Sequence, residues 1–393
     1  MKLKDKITEL SKSYFDEILE IRRHIHANPE LSFEEFKTSE FICSKLDNWK
    51  IPYEKGFVKT GILAIIDTGK AGKTIALRAD MDALPIQEKT EYSFASKNDK
   101  VMHACGHDVH TSSLLGVVKI LNELKEKLSG KILFIFQPAE ERSPGGARLM
   151  MEEGLFDKHK PDLVVAQHVY TDLEVGKVGI KPGKYMASSD EIFITIKGKG
   201  GHGALPERII DPVLMASQVI VALQQIVSRN TKPGLPTVLS FGKVIADGSV
   251  NVIPDEVKIE GTLRTMDETW RYKVHELMQN IIHQTAASMG GSAEIEIRKG
   301  YPVLVNDPEL ADKISEYSEE YLGKENVEAL DIRMTAEDFA YFSQKYPSVM
   351  YRLGITTSGQ EPTLLHTSGF RVDEEALMHG MGLMSWLAVR LLN

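Results

Sequence analysis

Continuous apolar runs alternate with helical repeats along the first part of the chain. Runs with few polar residues are typical of strands that are covered on both faces. Segments near 108–128 and 145–154 instead repeat their apolar residues with helical spacing. This alternation predicts an α/β domain with a mainly parallel sheet covered by helices. The apolar runs lie at 61–67, 73–80, 131–137 and 162–169.

The pattern changes after the last of these segments. Over 187–299 the predicted order is strand, helix, strand, strand, helix, strand, and the first strand alternates apolar and polar residues. This order is typical of a small ferredoxin-like α+β domain. The chain then returns to alternating helices and strands and ends in a predicted helix over 373–392. The sequence therefore predicts a discontinuous domain, 1–186 and 300–393, that is interrupted by a second domain.

Composition and charge exclude several classes of protein. The chain has 393 residues, of which 42% are hydrophobic and 26% are charged, values typical of a globular protein. Its formal net charge of −9 argues against a nucleic acid or an anionic membrane as partner. No apolar run approaches the ~20 residues that span a bilayer, and the charged N-terminus lacks a signal-peptide core. We therefore expect a cytoplasmic protein. Its two cysteines, Cys43 and Cys105, are too few for a disulfide framework.

Candidate metal ligands lie at the ends of several predicted strands. In open α/β sheets, binding sites gather beyond the carboxyl ends of the strands. A single residue of this kind is more often a solvated surface residue, but several strand ends that carry such residues indicate one shared site. These residues are Asp80 and Asp82 after the second apolar run, Glu140 and Glu141 after the third, and His168 in the fourth.

A cluster of further donors lies between the second and third of these runs. The segment MHACGHDVH combines one thiol, three imidazoles and a carboxylate. Mixed sulfur, nitrogen and oxygen ligands suit zinc or a similar transition metal much better than calcium or magnesium. Together with the strand ends, this cluster predicts a transition-metal site. Its donors are His103, Cys105, His107, Asp108 and His110.

Several motifs together resemble a known family. The segments RADMDALP, HACGHD, QPAEE, GKGGHGALP and LHTSGF, with His168 at its strand end, resemble the aminoacylase/carboxypeptidase family of dinuclear metallohydrolases. They resemble most its amidohydrolase branch, which includes N-acyl-amino-acid, hippurate and indole-acetyl-amino-acid hydrolases. The resemblance covers nearly the whole chain in the same order. It implies a catalytic domain formed by 1–186 and 300–393, and a ferredoxin-like lid over 187–299 through which two chains form a homodimer.

The resemblance also implies two divalent metal ions per subunit. Zinc or manganese is expected first, and nickel or cobalt can use the same ligands. Cys105 stands where the peptidase branches have a bridging aspartate. Asp80 stands where they have a metal-binding histidine, so Asp80 is left outside the ligand set. Ser368 replaces the proline of the family's usual His-x-Pro turn. The implied ligands are Cys105, His107, Glu141, His168 and His366.

Further roles in catalysis and substrate binding follow from the same resemblance. Glu140 would be the general base, and Asp82 would orient a metal ligand. His202, in the glycine-rich segment of the lid, would stabilise the oxyanion. Asn251 and Arg264 would bind the substrate's carboxylate, since a guanidinium pairs with a carboxylate bidentately. Because adjacent residues of an extended segment point to opposite sides, Glu140 can face substrate while its neighbour binds metal.

The leading hypothesis is an amidohydrolase that cleaves N-acyl amino acids to a carboxylate and a free amino acid, with a metal-bound hydroxide as the nucleophile. A dipeptidase or carboxypeptidase on the same fold is the alternative, and Cys105 with RADMDALP favours the amidohydrolase branch. A non-catalytic binding protein would lack the general base, but Glu140 is present. The segment TAEDFAYF also matches the family, but Glu337 and Asp338 are interpreted as acids of a helix's first turn without a catalytic role.

Overall fold

The chain forms two compact units in the computed structural model, which describes residues 2–392. The whole of the predicted inserted domain lies in the second unit. That unit also includes a short later segment, which the sequence pattern does not separate from its surroundings. The first unit contains the chain up to Gly183, Val305–Asp331 and the chain from Asp338 onward; the second contains Lys184–Leu304 and Ile332–Glu337.

Helices and strands alternate through most of the chain. The α-helices are α1 (Leu3–Ala27), α2 (Phe36–Asn48), α3 (His107–Glu123), α4 (Gly146–Glu152), α5 (Pro212–Gln225), α6 (Glu268–Ser288), α7 (Pro308–Leu322), α8 (Ala340–Ser343) and α9 (Ala376–Leu392). The strands are β1 (Tyr53–Phe57), β2 (Gly61–Asp67), β3 (Thr74–Asp80), β4 (Lys131–Gln137), β5 (Leu163–Glu174), β6 (Val178–Ile180), β7 (Gly183–Met186), β8 (Ser188–Lys197), β9 (Gly201–His202), β10 (Thr237–Ile245), β11 (Val252–Ile253), β12 (Glu256–Thr265), β13 (Ser292–Lys299), β14 (Leu304–Asn306), β15 (Val327–Ala329) and β16 (Ser348–Thr356). Within the described residues, no helix combines the length and apolar character needed to cross a membrane.

An eight-stranded sheet forms the centre of the first unit, in the order β1-β2-β4-β3-β5-β16-β6-β15. The central strands β4, β3, β5 and β16 are parallel, and antiparallel pairs flank them. β3 and β4 are buried at every position but the first, as expected of strands covered on both faces. Helices α1, α3 and α9 pack against one another, and α3 also contacts β3 and β5. The predicted α/β architecture with a mainly parallel sheet is confirmed.

Parallel pairing brings the carboxyl ends of neighbouring strands together in the first unit. Asp80, the last residue of β3, lies opposite Gln137, the last residue of β4. Immediately beyond them, the backbone N–H of Met81 donates to the carbonyl oxygen of Gln137 at 3.0 Å. β5, which carries His168, pairs with β3 on the other side. The segments that carry candidate ligands therefore leave the sheet side by side.

The second unit contains a four-stranded antiparallel sheet in the order β10-β12-β8-β13, and α5 and α6 pack against it. Along the chain the main elements follow as β8, α5, β10, β12, α6 and β13, which is the predicted order. Ile192, Ile194 and Ile196 alternate with more exposed residues of β8 and face the apolar core. Asp211 and Asp267 accept backbone N–H groups at the starts of α5 and α6, so each helix begins at a capping carboxylate.

A buried ion cluster joins α6 to the sheet of the second unit. Asp190, on β8, accepts hydrogen bonds from Arg271 Nη2 at 2.5 Å and from His275 Nε2 at 2.6 Å. Burial alone would raise the pKa of Asp190, but the bonds from Arg271 and His275 hold that pKa below its ordinary value. Asp190 is therefore ionised and neutralises a guanidinium that is itself buried.

Asp190→Ala should destabilise the protein strongly, because the buried guanidinium of Arg271 loses its buried carboxylate partner and keeps only the partly exposed Glu268. Removal of one partner of a buried ion pair costs about 3–5 kcal/mol. Urea unfolding followed by circular dichroism measures the change. The control, Glu294→Ala, breaks an exposed ion pair with Lys197 in the same sheet and should cost less than about 1 kcal/mol. Equal unfolding midpoints for the two variants would contradict the role given to Asp190.

Candidate metal centre

Five side chains from four segments of the first unit converge on one place. Cys105 Sγ lies 3.6 Å from His168 Nε2 and 3.3 Å from His366 Nε2. His366 Nε2 also lies 3.2 Å from Glu141 Oε1, and His107 Nε2 lies 3.9 Å from the same oxygen. These are the five residues that the family resemblance implies as metal ligands, and the structure brings all of them together.

The five donors form two groups of three that share the thiol. The donor atoms of Cys105, His107 and His168 all lie within 4.8 Å of one another, and so do those of Cys105, Glu141 and His366. Zinc–ligand bonds are about 2.0–2.3 Å long, so the ligands of one ion lie within about 4.6 Å of each other. The spacing of the donors suits a cation in each group. Cys105 belongs to both groups, as expected of a residue in a bridging position.

A left-handed turn at Gly106 sets Cys105 and His107 next to each other. Gly106 has a φ of 82°, which residues with a Cβ rarely adopt. A Cβ at Gly106 would also come within 2.6 Å of Val169 Cγ2. Glycine is therefore required between the two donors of the CGH sequence, both by its backbone conformation and by the close approach of β5.

His366 reaches the other donors through a backbone contact. Its N–H donates to the carbonyl oxygen of Ala104 at 2.8 Å, which ties the loop before α9 to the residue preceding Cys105. His366 itself adopts a φ of 59°, so a left-handed residue forms this turn. The loop brings the imidazole to Cys105 although Ser368 stands where the family has proline.

Hydrogen bonds orient two of the imidazoles so that a nitrogen lone pair faces the centre. His168 Nδ1 lies 2.8 Å from the carbonyl oxygen of Val169, which can only accept, so Nδ1 carries the proton. His107 Nδ1 lies 3.2 Å from Asp82 Oδ1 and donates its proton to that carboxylate oxygen. His107 Nε2 and Glu141 Oε1 are buried and have no hydrogen-bond partner within the described part of the chain. A bound cation would satisfy both lone pairs, so the donor set fits a metal.

Carboxylates dominate the electrostatics of the centre. Burial alone would lower the pKa of His107, but Asp80, Asp82 and Glu141 outweigh it and raise that pKa to about 10. Burial, followed by the charge of Glu141, raises the pKa of the Cys105 thiol well above its usual range. Both shifts reflect an excess of negative charge in a buried space. Such a space favours a cation, which would stabilise a thiolate and replace a proton on the imidazole.

Asp80 forms hydrogen bonds beside this donor set. Its Oδ2 accepts from Arg78 Nη1 at 2.6 Å, and its Oδ1 accepts from His110 Nδ1 at 2.5 Å. The backbone N–H of Val169 donates to His110 Nε2 at 2.9 Å. Both ring nitrogens of His110 are therefore occupied, and His110 cannot bind a metal in this arrangement. Asp80 orients His110 and pairs with a buried guanidinium.

Asp82 fixes the turn after β4 that carries the two adjacent glutamates. Its carboxylate accepts the backbone N–H groups of Glu140 at 3.1 Å and of Glu141 at 3.0 Å. The hydroxyl of Ser32 donates to the same carboxylate at 2.6 Å. Since Asp82 also contacts His107, one buried side chain connects the turn to a candidate metal ligand.

Glu140 is buried at the side of the centre. One of its carboxylate oxygens lies within 4.8 Å of donor atoms of both His107 and Glu141. The backbone N–H of Asp338 points to Glu140 Oε1, with an N···O distance of 3.4 Å. The predicted general base is therefore adjacent to the donors.

Asp338 is a residue of this site that the sequence analysis missed. It is buried and accepts hydrogen bonds from Arg78 Nη2 at 2.8 Å, Gln137 Nε2 at 2.8 Å and the backbone N–H of Ala147 at 2.9 Å. The interpretation of Asp338 as an acid of a helix's first turn is wrong, because α8 begins only at Ala340. The match of the segment TAEDFAYF to the family was the sequence signal that could have identified Asp338 as a site residue. These three partners of the Asp338 carboxylate are at least 191 residues away along the chain.

Two of the predicted lid residues are neighbours in the second unit. β9, which ends at His202, pairs with β11, which begins just after Asn251. The backbone N–H of Gly203 donates to the carbonyl oxygen of Asn251 at 2.9 Å. The backbone N–H of Ala204 donates to His202 Nδ1 at 3.1 Å. A neutral His202 therefore carries its proton on Nε2, where the exposed imidazole can donate a hydrogen bond.

The third predicted lid residue, Arg264, lies on β12 opposite Ser189 of β8. Its side chain has no hydrogen bond or ion pair to any residue that the structure describes. Burial lowers the pKa of Arg264, and the charges of Asp190 and Glu191 oppose that effect. An arginine remains protonated in proteins, so this partly buried guanidinium is available to bind an anion.

Known proteins are similar to this chain in both sequence and fold. Residues 76–389 match the model of Peptidase family M20/M25/M40. An N-acyl-L-amino acid amidohydrolase of Geobacillus stearothermophilus is 44% identical over 303 residues, which cover 77% of this chain and 81% of that relative. Thermostable carboxypeptidase 2 of Saccharolobus solfataricus is 36% identical over 398 residues, which cover 100% of each chain. The crystal structure of Bacillus subtilis YXEP, described as a dinuclear metal-binding peptidase of the M20 family, has a TM-score of 0.83 and 36% identity over 97% of this chain and 99% of that chain.

The matched range contains every converging donor of the first unit described above. Two relatives above 30% identity and a solved structure at a similar identity agree with the family model. The family resemblance indicated by the motifs is therefore confirmed: this chain belongs to peptidase family M20/M25/M40, and it is a hydrolase.

Proposed function

We propose that this enzyme is a metal-dependent amidohydrolase that cleaves the amide bond of N-acyl amino acids to give a carboxylate and a free amino acid. The observation that carries the proposal is the position of Glu140, buried beside a donor set in which Cys105 belongs to both groups. A cysteine at this position is the feature by which the sequence favours the amidohydrolase branch over the peptidases. The name of the Geobacillus relative supports the same substrate class.

The converging donors of the first unit are the residues that would hold two divalent metal ions. Thiolate, imidazole and carboxylate together suit zinc, and manganese, nickel or cobalt can use the same set. The dinuclear description of the Bacillus subtilis structure supports two ions. When bound, such a pair of ions polarises an amide carbonyl and makes a nucleophile available at neutral pH. The proposed ligands are Cys105, His107, Glu141, His168 and His366.

Glu140 is the residue that we assign as general base. Its carboxylate would take a proton from the attacking water and deliver that proton to the leaving nitrogen. The leaving nitrogen needs the proton, because an amine leaves far more readily than its anion. Asp82 and Asp338 would keep Glu140 in place, since both contact the turn or the carboxylate itself. Neither of them would touch the substrate.

Residues of the second unit would bind the rest of the substrate. His202 would donate from Nε2 to the oxyanion that develops on the carbonyl oxygen, a role that suits a neutral imidazole with its proton on that nitrogen. Asn251 and Arg264 would bind the free carboxylate of the amino acid. The absence of a hydrogen-bonding partner for Arg264 within residues 2–392 supports this assignment.

We propose that the second unit is both the lid and the dimerisation domain. β10 is an edge strand of its sheet, so one row of its backbone groups is unpaired within that sheet. Large apolar side chains on α5 and β10 are exposed, among them Leu214 at 50%, Val221 at 67% and Val244 at 52%. Such surfaces are typical of contacts with another chain. We expect a homodimer in the cytoplasm that acts on a small molecule, without a nucleic acid or membrane partner.

A dipeptidase or carboxypeptidase activity is the second candidate. The specific observation in its favour is the Saccharolobus carboxypeptidase, which matches this chain from end to end. Both activities hydrolyse an amide next to a free carboxylate, so the same base and the same guanidinium would serve either one. The acyl side of the substrate distinguishes them, because a dipeptide carries an ammonium group there and an N-acyl amino acid does not.

The metal-reconstituted enzyme should hydrolyse N-acyl amino acids in preference to dipeptides. The measurement is kcat/KM on a panel of N-acetyl, N-benzoyl and indole-acetyl amino acids beside dipeptides that share the same C-terminal residue. Because the C-terminal residue is matched, differences report the acyl side alone. A higher kcat/KM on the dipeptides would reject the amidohydrolase assignment in favour of the peptidase.

Glu140→Gln should bind metal as the wild type does but lose most of its turnover. The amide keeps the shape of the side chain and cannot accept the proton, and general acid–base catalysis contributes roughly 10²–10⁴-fold to rate. Metal content and kcat are measured on the same preparation. Glu152→Gln, which alters an exposed glutamate on α4, is the control and should keep wild-type kcat. Unchanged kcat in fully metallated Glu140→Gln would show that another group is the base.

A further inference from the structure

Glu35 is a buried carboxylate next to the proposed site, and the sequence analysis did not single it out. It directly precedes α2 and is fully buried. Its Oε1 accepts two backbone hydrogen bonds, from Phe33 at 3.0 Å and from Ala139 at 2.8 Å. Its Oε2 accepts a hydrogen bond from the hydroxyl of Thr60 at 2.9 Å. One side chain thus connects the start of α2, the start of β2 and the turn after β4.

Both backbone partners of Glu35 have an unusual conformation. Phe33 has a φ of 71° and Ala139 has a φ of 54°. A residue with a Cβ adopts this left-handed region only at a cost in free energy. Strained residues of this kind persist where the surrounding structure holds them. Here a single carboxylate oxygen accepts the N–H of both, and Ala139 is itself fully buried.

The conformation of Ala139 decides where the two following side chains point. Ala139 directly precedes Glu140 and Glu141, and a change from left-handed to extended backbone at that position would rotate the turn that carries both. Asp82 holds the same turn from the next two N–H groups along the chain. The turn is therefore held at three consecutive N–H groups, and Glu35 provides the first of these contacts.

We propose that Glu35 is a positioning residue of the active centre: its acceptor oxygen holds Ala139 in the left-handed conformation that aims Glu140 and Glu141. It acts through the backbone of Ala139. The effect on turnover rests on the proposed function, in which Glu140 is the base, whereas the effect on metal binding rests on Glu141 alone.

This role requires an acceptor oxygen within hydrogen-bond distance of the N–H of Ala139. Burial and the neighbouring charge of Asp82 raise the pKa of Glu35 to about 7. The carboxyl of Glu35 holds the turn mainly through its hydrogen bonds. Glutamine can make the same contacts, because its carbonyl oxygen accepts from both N–H groups and its amide can donate to Thr60. Asparagine has the same chemistry but is shorter by one methylene, so it cannot reach Ala139 as glutamine does.

The test therefore compares Glu35→Gln with Glu35→Asn, and adds Glu35→Asp, which keeps the charge but loses the reach. Each variant is loaded with the same metal, its folding is verified by thermal unfolding, and kcat, KM and metal affinity are measured. Glu35→Gln should stay within about threefold of the wild type in every parameter. Glu35→Asn and Glu35→Asp should lose about 10–100-fold in kcat and about tenfold in metal affinity, with KM within about threefold. Thr60→Val, which removes only the contact to Oε2, should resemble the wild type.

Three results would overturn the proposal. Glu35→Asn or Glu35→Asp could match the wild type in both kcat and metal affinity. Glu35→Gln could be as impaired as the short variants, which would make the charge decisive. Thr60→Val could be equally impaired, which would make the contact a general support of the fold. If the wild type hydrolyses no member of the substrate panel, the proposed function fails. The order of metal affinities among the Glu35 variants still decides the role of Glu35.

Discussion

The arrangement of the site depends on the buried carboxylate of Asp82. This one buried carboxylate accepts hydrogen bonds from Ser32, from His107 and from the backbone of Glu140 and Glu141. Ser32, His107 and the turn after β4 lie on three different segments of the first unit. An unsatisfied buried donor costs about 1–3 kcal/mol, so the loss of this acceptor would release several segments at once. The candidate ligands therefore depend on an acceptor that binds no metal itself.

The parallel register of the central strands brings these segments together. The charged side chains that meet there are buried. Burial alone would raise the pKa of Asp80, but Arg78 and two imidazoles hold that pKa well below its ordinary range. Arg78 also pairs with Asp338, so one buried guanidinium serves two carboxylates. The carboxylate of Glu141 and the thiol of Cys105 lie in the same space. A bound cation would balance the charge of that carboxylate and convert the thiol to a thiolate, which connects the packing of the first unit to the proposed metal chemistry.

The sequence predicts those helices and strands whose apolar and polar residues follow a distinctive pattern. Strands β2, β3 and β4 appear as continuous apolar runs because they are covered on both faces. The edge strands β1 and β15 were not predicted, because most of their residues are partly or fully exposed. Clustered donors at strand ends predict a transition-metal site, because a thiol, imidazoles and carboxylates rarely converge otherwise. The choice of the five ligands, and His366 in particular, came from the resemblance to the family. Glu35 could not be predicted, because its importance lies in a contact with the backbone of a distant segment. Asp338 lies in a segment that matches the family, but its role could not be predicted, because its partners Arg78, Gln137 and Ala147 are distant along the chain.

We expect two metal ions in this centre, with Cys105 belonging to both groups of ligands, and a calorimetric titration of the metal-free protein measures both ions. The wild type and the control Cys43→Ser should each bind two equivalents of metal. Cys105→Ser should bind both equivalents more weakly, because a hydroxyl is a poorer ligand than a thiolate for a borderline-soft cation and the lost ligand serves both sites. Two equivalents bound by Cys105→Ser with wild-type affinity would show that Cys105 is not a ligand of both ions, and a single equivalent bound by the wild type would rule out a two-metal centre.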